Sequence, residues 1–189
     1  PPDAAASSSP SGEERMADPR FPIGAFTPAP SLSDAERGRH IARLVALPPA
    51  LRRSVEGLDD GQLDTPYRDG GWSVRQVVHH VPDSHMNGYI RFKLALTETE
   101  PTIRPYDQDG WAALEVGRRG PLEPSLALLE LLHRRWVALL ETLSAADFMR
   151  RLRHPESGVL TLDTMLQLYA WHGEHHVAHI MGLREREGW

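Results

Sequence analysis

Apolar positions in this 189-residue chain recur at helical spacing in four long stretches. The first opens at Ser33-Asp34-Ala35-Glu36, which has the form of a capping box with Ser33 as N-cap and Glu36 three residues on. It carries Ile41, Leu44, Val45, Leu51 and Val55, and Gly57 is placed to terminate it. Pro48 and Pro49 fall inside it, and because proline removes a helical hydrogen bond and crowds the preceding turn, a bend or break is expected there. The second stretch starts at Ser73 and puts Val74, Val77, Val78, Val81, Phe92 and Ala95 on one broad face. Beside that face runs a polar stripe of His80, Ser84, Asn87 and Arg91, spaced i, i+4, i+7 and i+11, which suits the lining of a pocket in a bundle core. His79 falls on the far side, and His85 is expected to be buried with a local partner. Pro82 costs about 3 kcal/mol in a regular helix and predicts a kink that re-aims His80.

Residues 99–124 hold four prolines and read as an irregular connection with a short helix around Trp111 to Leu114. Long connections of this kind often cover a site, so Arg104, Tyr106, Asp107 and Trp111 are assigned either to a pocket rim or to packing against the bundle. The third stretch runs from about Ser125 to Leu143 with Leu128, Leu129, Leu132, Trp136 and Leu139 as its core, leaving His133, Arg134 and Arg135 to solvent. After a short turn at 144–148 and a loop at 154–158, Thr161-Leu162-Asp163 opens the fourth. Four amphipathic helices without a convincing strand pattern predict an all-α four-helix bundle with a long connection between helices two and three. Residues 1–19 are small, polar and proline-rich and are expected to be a disordered leader or an upstream extension, with Met16 as a candidate internal start. Residues 20–189 form the single domain, and 21–30 (FPIGAFTPAP) an extended arm across it.

The fourth helix concentrates the chemistry. Tyr169 to His179 (YAWHGEHHVAH) places four histidines in eight residues. At about 100° per residue from His172, His176 falls near 40°, His179 near −20° and His175 near −60°, all about one face. Met165, Leu168, Tyr169 and Leu183 share that face, so the imidazoles point toward an apolar interior. One buried histidine is more often a hydrogen-bonded core residue than a ligand. Several together favour a metal, because histidines at i and i+4 reach one cation as neutral nitrogen ligands. A third ligand has to come from elsewhere in the chain, and His80 is the best candidate on the second helix.

Composition narrows the choice. With no cysteine there is no disulfide, thiolate ligand or cysteine nucleophile, and a metal bound by histidine and carboxylate points to zinc, nickel or a similar divalent ion. The net charge of −5, without long like-charge blocks, gives no electrostatic footprint for nucleic acid. No apolar run is long enough to span a membrane and no secretory signal is visible, so a cytoplasmic location is expected.

The segments GWSVRQVVHH, DSHMNGYIRFKLAL and LYAWHGEHHVAH, in that order, resemble those of the DinB-like family of YfiT-type metal-dependent hydrolases. QLDTPYRDGGW and the arm FPIGAF fit as well, and the resemblance covers about Phe21 to Trp189. It implies a DinB/YfiT-like four-helix bundle, a mononuclear zinc or nickel site with three histidine ligands, and frequent homodimers. Residue by residue, the ligands it implies are His80, His172 and His176. Pro82 is a departure, since a small helix-compatible residue would be expected there. The wider superfamily includes S-transferases that use bacillithiol or another low-molecular-weight thiol.

Three neutral imidazoles leave at least one coordination position open for water or substrate, unlike a closed structural zinc site. Since the chain has no cysteine, a thiolate would have to arrive with a cosubstrate. The expected activity is transfer of a low-molecular-weight thiol to a small-molecule electrophile. Metal-dependent hydrolysis by hydroxide held on the cation is the alternative, and a non-enzymatic, metal-stabilised binding module a further one. Transfer is preferred because no motif places a general acid or base; Glu174 lies near −160° from His172 and faces away. Arg91, Arg104 and Asn87 are the candidate substrate contacts.

Overall fold

The computed structural model describes residues 18–189, so most of the expected leader, residues 1–17, lies outside the described residues. Four long helices dominate: α1 (Asp34–Val55), α3 (Val74–Thr97), α6 (Glu123–Leu140) and α8 (Leu162–Glu187). Each starts where the chain supplies a stop for the orphan N–H groups of a first turn or a proline that has none. Ser33 and Ser73 form complete capping boxes with Glu36 and Gln76, Thr161 accepts from the Thr164 N–H, and α6 has Pro124 in its first turn. At the far end of α8, Gly188 takes the left-handed conformation (φ 72°) that closes a helix without a Cβ penalty.

In the bundle, α1 packs on α6 and α8, and α3 packs on the same two helices. The connection from α3 to α6 is long, as expected, but more ordered than its prolines suggest, with short helices α4 (Gln108–Ala112) and α5 (Glu115–Arg119). A single helical turn, α2 (Asp60–Leu63), precedes α3, and another, α7 (Ala145–Phe148), follows α6. The expected loop at 154–158 is the turn of an antiparallel hairpin of β1 (Arg151–His154) and β2 (Gly158–Thr161). Its turn closes on Gly158 at φ 76°. Four-residue strands are too short for their alternation to stand out in sequence.

Five expectations about the helices are corrected. α1 runs continuously through Pro48 and Pro49. The missing Pro48 N–H would leave the Leu44 carbonyl without its helical donor, and the His133 ring donates to it from α6 through Nδ1 at 2.7 Å. His133 is therefore buried, at 2% exposure, not solvent-facing. The α6 core stripe is Leu126, Leu129, His133, Trp136 and Leu140, whereas Leu128 is exposed. Val45, expected in the α1 core, is exposed as well. His79 is buried, donating from Nε2 to the Gly120 carbonyl and meeting Ser125 Oγ at 2.7 Å, which ties α3 to the start of α6.

The core falls into two apolar clusters. One gathers Leu44, Phe92, Trp136, Leu140, Met165 and Tyr169 near one end of the bundle, the other Leu51, Val77, Val81, Leu129, Ile180 and Leu183 near the opposite end. Along α3, α6 and α8 the histidines fall between the two. Residues 18–32 lie along α8 as the expected arm. The Gln167 carboxamide accepts from the Ala29 N–H at 2.7 Å and donates to its carbonyl at 3.1 Å. Leu32 N–H donates to Asp163, a fully buried carboxylate that Arg37 also grips through Nε and Nη2 at 2.7 and 2.8 Å.

Candidate metal centre

His80 from the second turn of α3 faces His172 and His176, one turn apart on α8. The Nε2 atoms of His80 and His176 each lie 3.2 Å from Nε2 of His172, and one candidate ligand atom from each ring falls within 4.8 Å of the others. Nitrogens about 2.0–2.1 Å from a tetrahedral cation stand about 3.3–3.4 Å apart, close to the two separations that His172 makes, so the donor set suits one ion. Pro82 lies within an uninterrupted α3, and His80 still meets the α8 pair. Gly173, between the two α8 histidines, has no Cβ to collide with Leu47 and lets α1 close on this turn.

Burial keeps these rings neutral, as ligands must be. It pushes His80 down to about 4, and burial together with neighbouring imidazoles holds His172 and His176 well below the ordinary imidazole range. Three further Nδ1 atoms, on His175, His176 and His179, are buried without a hydrogen-bond partner among the described residues.

The cluster opens into a cavity of roughly 590 Å³. Trp72 packs on His80 with ring centres 4.6 Å apart, Trp171 stacks on His175 at 4.4 Å, and Tyr67 stacks on His179 at 4.0 Å. The arm supplies Arg20 and Phe21, the α2–α3 loop Arg68, Gly70 and Gly71, and α4 Gln108 and Asp109. His179 Nε2 donates to the Arg20 carbonyl at 3.4 Å, and Trp171 Nε1 to that of Gly24 at 3.3 Å, so the arm is fastened to the helix that carries the histidines.

Arg91, Asn87 and Arg104 are not among the cavity-lining residues. Arg91 donates to the Tyr169 hydroxyl at 3.4 Å, Asn87 to the Asp83 carbonyl on its own helix, and Arg104 is exposed. Glu174 faces away as expected, held by Arg43 of α1 in a two-point ion pair. Sequence reasoning assigned no role to Arg20, Arg68, Gln108 or Asp109. Arg20 flanks the arm, and Arg68 stands inside the QLDTPYRDGGW segment, so position in a motif was the available signal. Gln108 and Asp109 sit in the α3–α6 connection, where periodicity carries no information. His85, expected to have a local partner, is instead joined to other helices through His133 and His172.

No described helix is long and apolar enough to cross a membrane. The sequence profile of the DinB superfamily matches residues 43–180. A Bacillus mycoides protein named "putative metal-dependent hydrolase" is 52% identical over 174 residues, 92% of this chain and 100% of that protein. The similarly named YfiT of Bacillus subtilis is 51% identical over 170 residues, 89% of this chain and 96% of YfiT. The solved structure of YfiT, described as a probable metal-dependent hydrolase with an unusual four-helix bundle topology, superposes with a TM-score of 0.89. It is 50% identical and covers 90% of this chain and 98% of its own. With the bundle topology, the histidine cluster and the aligned length all in agreement, the chain belongs to the DinB superfamily.

Proposed function

We propose that His80, His172 and His176 hold one divalent cation, zinc or nickel, and that the site hydrolyses a small molecule. The observation that carries this reading is the convergence of three neutral Nε2 atoms at the floor of an open cavity with a carboxylate, Asp109, in its wall. A cation held by these three histidines would supply positive charge to polarise a substrate oxygen and to lower the pKa of water. Asp109 is the side chain suited to take the proton from attacking water, the role no sequence motif had filled. Arg20 and Arg68 are suited to orienting an anionic substrate group. The hydrolase names of the relatives support the same reading.

Transfer of a low-molecular-weight thiol such as bacillithiol to an electrophile is the second reading. It is favoured by a cavity with room for two small reactants and by its two arginines, which suit an anionic cosubstrate. The family resemblance supports a homodimer, and a cytoplasmic site of action belongs to the same reading.

Elemental analysis of untagged protein comes first, with one zinc or nickel per chain expected in the wild type and none in His80→Ala or His172→Ala. Activated-ester hydrolysis and thiol consumption with an aryl halide are then compared in wild type and Asp109→Asn. Retained metal with hydrolysis reduced by about 10²–10⁴ identifies a hydrolase with Asp109 as base. Thiol consumption that survives Asp109→Asn, without ester hydrolysis in either protein, assigns the transferase. Metal that contributes only to stability reduces the chain to a metal-stabilised binding module.

A further inference from the structure

Behind the His172 ring runs a line of imidazoles that crosses the bundle. His172 Nδ1 lies 3.3 Å from His85 Nε2, His85 Nδ1 lies 2.9 Å from His133 Nε2, and His133 Nδ1 lies 2.7 Å from the Leu44 carbonyl oxygen. One group comes from each long helix: α8, α3, α6 and α1. His85 is fully buried and His133 is 2% exposed, so within the core these rings have each other as partners in place of water.

The proton positions follow from the end of the line. A carbonyl oxygen only accepts, so His133 must carry its hydrogen on Nδ1. Both rings are buried in the core and bonded to other imidazoles or to a carbonyl, with no carboxylate partner to hold a positive charge, so each is neutral and carries one N–H. His133 Nε2 is then an acceptor and takes the His85 Nδ1–H. His85 Nε2 becomes an acceptor in turn and takes the His172 Nδ1–H. His172 is left with its lone pair on Nε2, the atom that faces His80 and His176 at 3.2 Å. The line begins at Pro48, whose lack of an N–H leaves the Leu44 carbonyl available.

We infer that His85 and His133 are positioning residues for the metal centre: through the Leu44 carbonyl they fix His172 as the Nδ1–H tautomer and hold its Nε2 lone pair aimed at the cation. This inference rests on the proposed metal site. Metal-binding histidines commonly donate their second N–H to a carboxylate or carbonyl, which sets tautomer and ring angle and raises ligand basicity. Here two relayed imidazoles do that work and spare the core a buried charge. His80 and His176 have no such relay among the described residues; the buried Nδ1 of His176 has no partner. His172 is thus the pre-set ligand of the three.

Two measurements test this. In metal-free wild-type protein, long-range ¹H–¹⁵N correlation spectra of the imidazoles should show the Nδ1–H tautomer at His172, His85 and His133. An Nε2–H tautomer at His172 overturns the inference, and because no metal is present this result does not depend on the metal reading. In the second, zinc affinity is measured by chelator competition in wild type, His133→Phe and His133→Gln. His133→Phe should bind about 10–100-fold more weakly, and His133→Gln, which keeps an acceptor and a donor, should recover most of that loss. Wild-type affinity in a folded His133→Phe overturns the inference. Should His133→Phe fail to fold, the wild-type spectra decide alone. A wild type that binds neither zinc nor nickel yet shows the Nδ1–H line refutes the metal proposal and leaves the relay as a core network.

Discussion

Replacing Asp163 with asparagine tests whether α1 and the histidine helix are held by one buried ion pair. Asp163 is fully buried at the start of α8, the Arg37 side chain is 9% exposed, and the two meet through two hydrogen bonds. Breaking a buried pair by removing one charge costs about 3–5 kcal/mol, because the other charge is left uncompensated. Asparagine retains one acceptor for Arg37, and Arg37 keeps an exposed contact with Asp34, which places the expected loss near the lower end, about 3 kcal/mol. For a chain of this size a urea slope of about 3 kcal/mol per molar turns that into a midpoint lowered by about 1 M. Urea unfolding of the metal-free protein, followed by circular dichroism, reads this directly. The double variant Arg37→Met, Asp163→Leu should regain much of the loss, since an apolar pair leaves no stranded charge. A midpoint that moves by less than about 0.3 M in Asp163→Asn would refute the argument.

The remaining predictions concern acidity, packing and the arm. In metal-free protein, burial lowers His133 from 6.5 to about 4, so the unfolded chain binds more protons between those values. The associated stability is fully present above about pH 6.5 and is lost as pH falls toward 4, on the order of 3 kcal/mol for this ring. His133→Gln should flatten that part of the urea-midpoint profile, and an unchanged slope contradicts it. A Cβ at Gly88 would meet the Tyr169 ring and lie 2.7 Å from Trp136, so Gly88→Ala should destabilise by about 1–3 kcal/mol despite alanine's better helix propensity. A higher melting temperature would show that the aromatic walls give way. Gln167→Ala removes both bonds to Ala29, and limited proteolysis should then cut within residues 18–30 sooner than in wild type, with the bundle intact.

The helices and three central histidines were legible because each rests on a local or periodic signal: a cap, a heptad-like stripe, an i, i+4 pair. Errors arose where a distant partner decided the outcome. His133 reads as a surface residue beside Arg134 and Arg135, and its burial comes from partners on other helices, the carbonyl left by Pro48 and the His85 ring. The unbroken α1 is the same event seen from the other side, since the carbonyl deprived of a helical donor is satisfied across the bundle. His79 was displaced from the surface by its bonds to Gly120 and Ser125. Asp109 could not be read at all, because the fold of an aperiodic connection decides which of its side chains reach the cavity.

The two apolar clusters, with imidazoles between them, have a consequence for helix register. Leucine and valine contacts tolerate sliding, since a neighbouring apolar residue fills much the same space. The line from Leu44 through His133 and His85 to His172 does not tolerate it. Moving α6 by one residue would put Leu132 or Arg134 where His133 stands and strand polar groups of two other helices in the core. A polar layer of this kind acts as a buried asparagine does in a coiled coil, discriminating against misaligned packings that apolar contacts alone would accept. The bundle's alignment and the aim of the His172 Nε2 toward His80 and His176 are then one property, set by the same three hydrogen bonds.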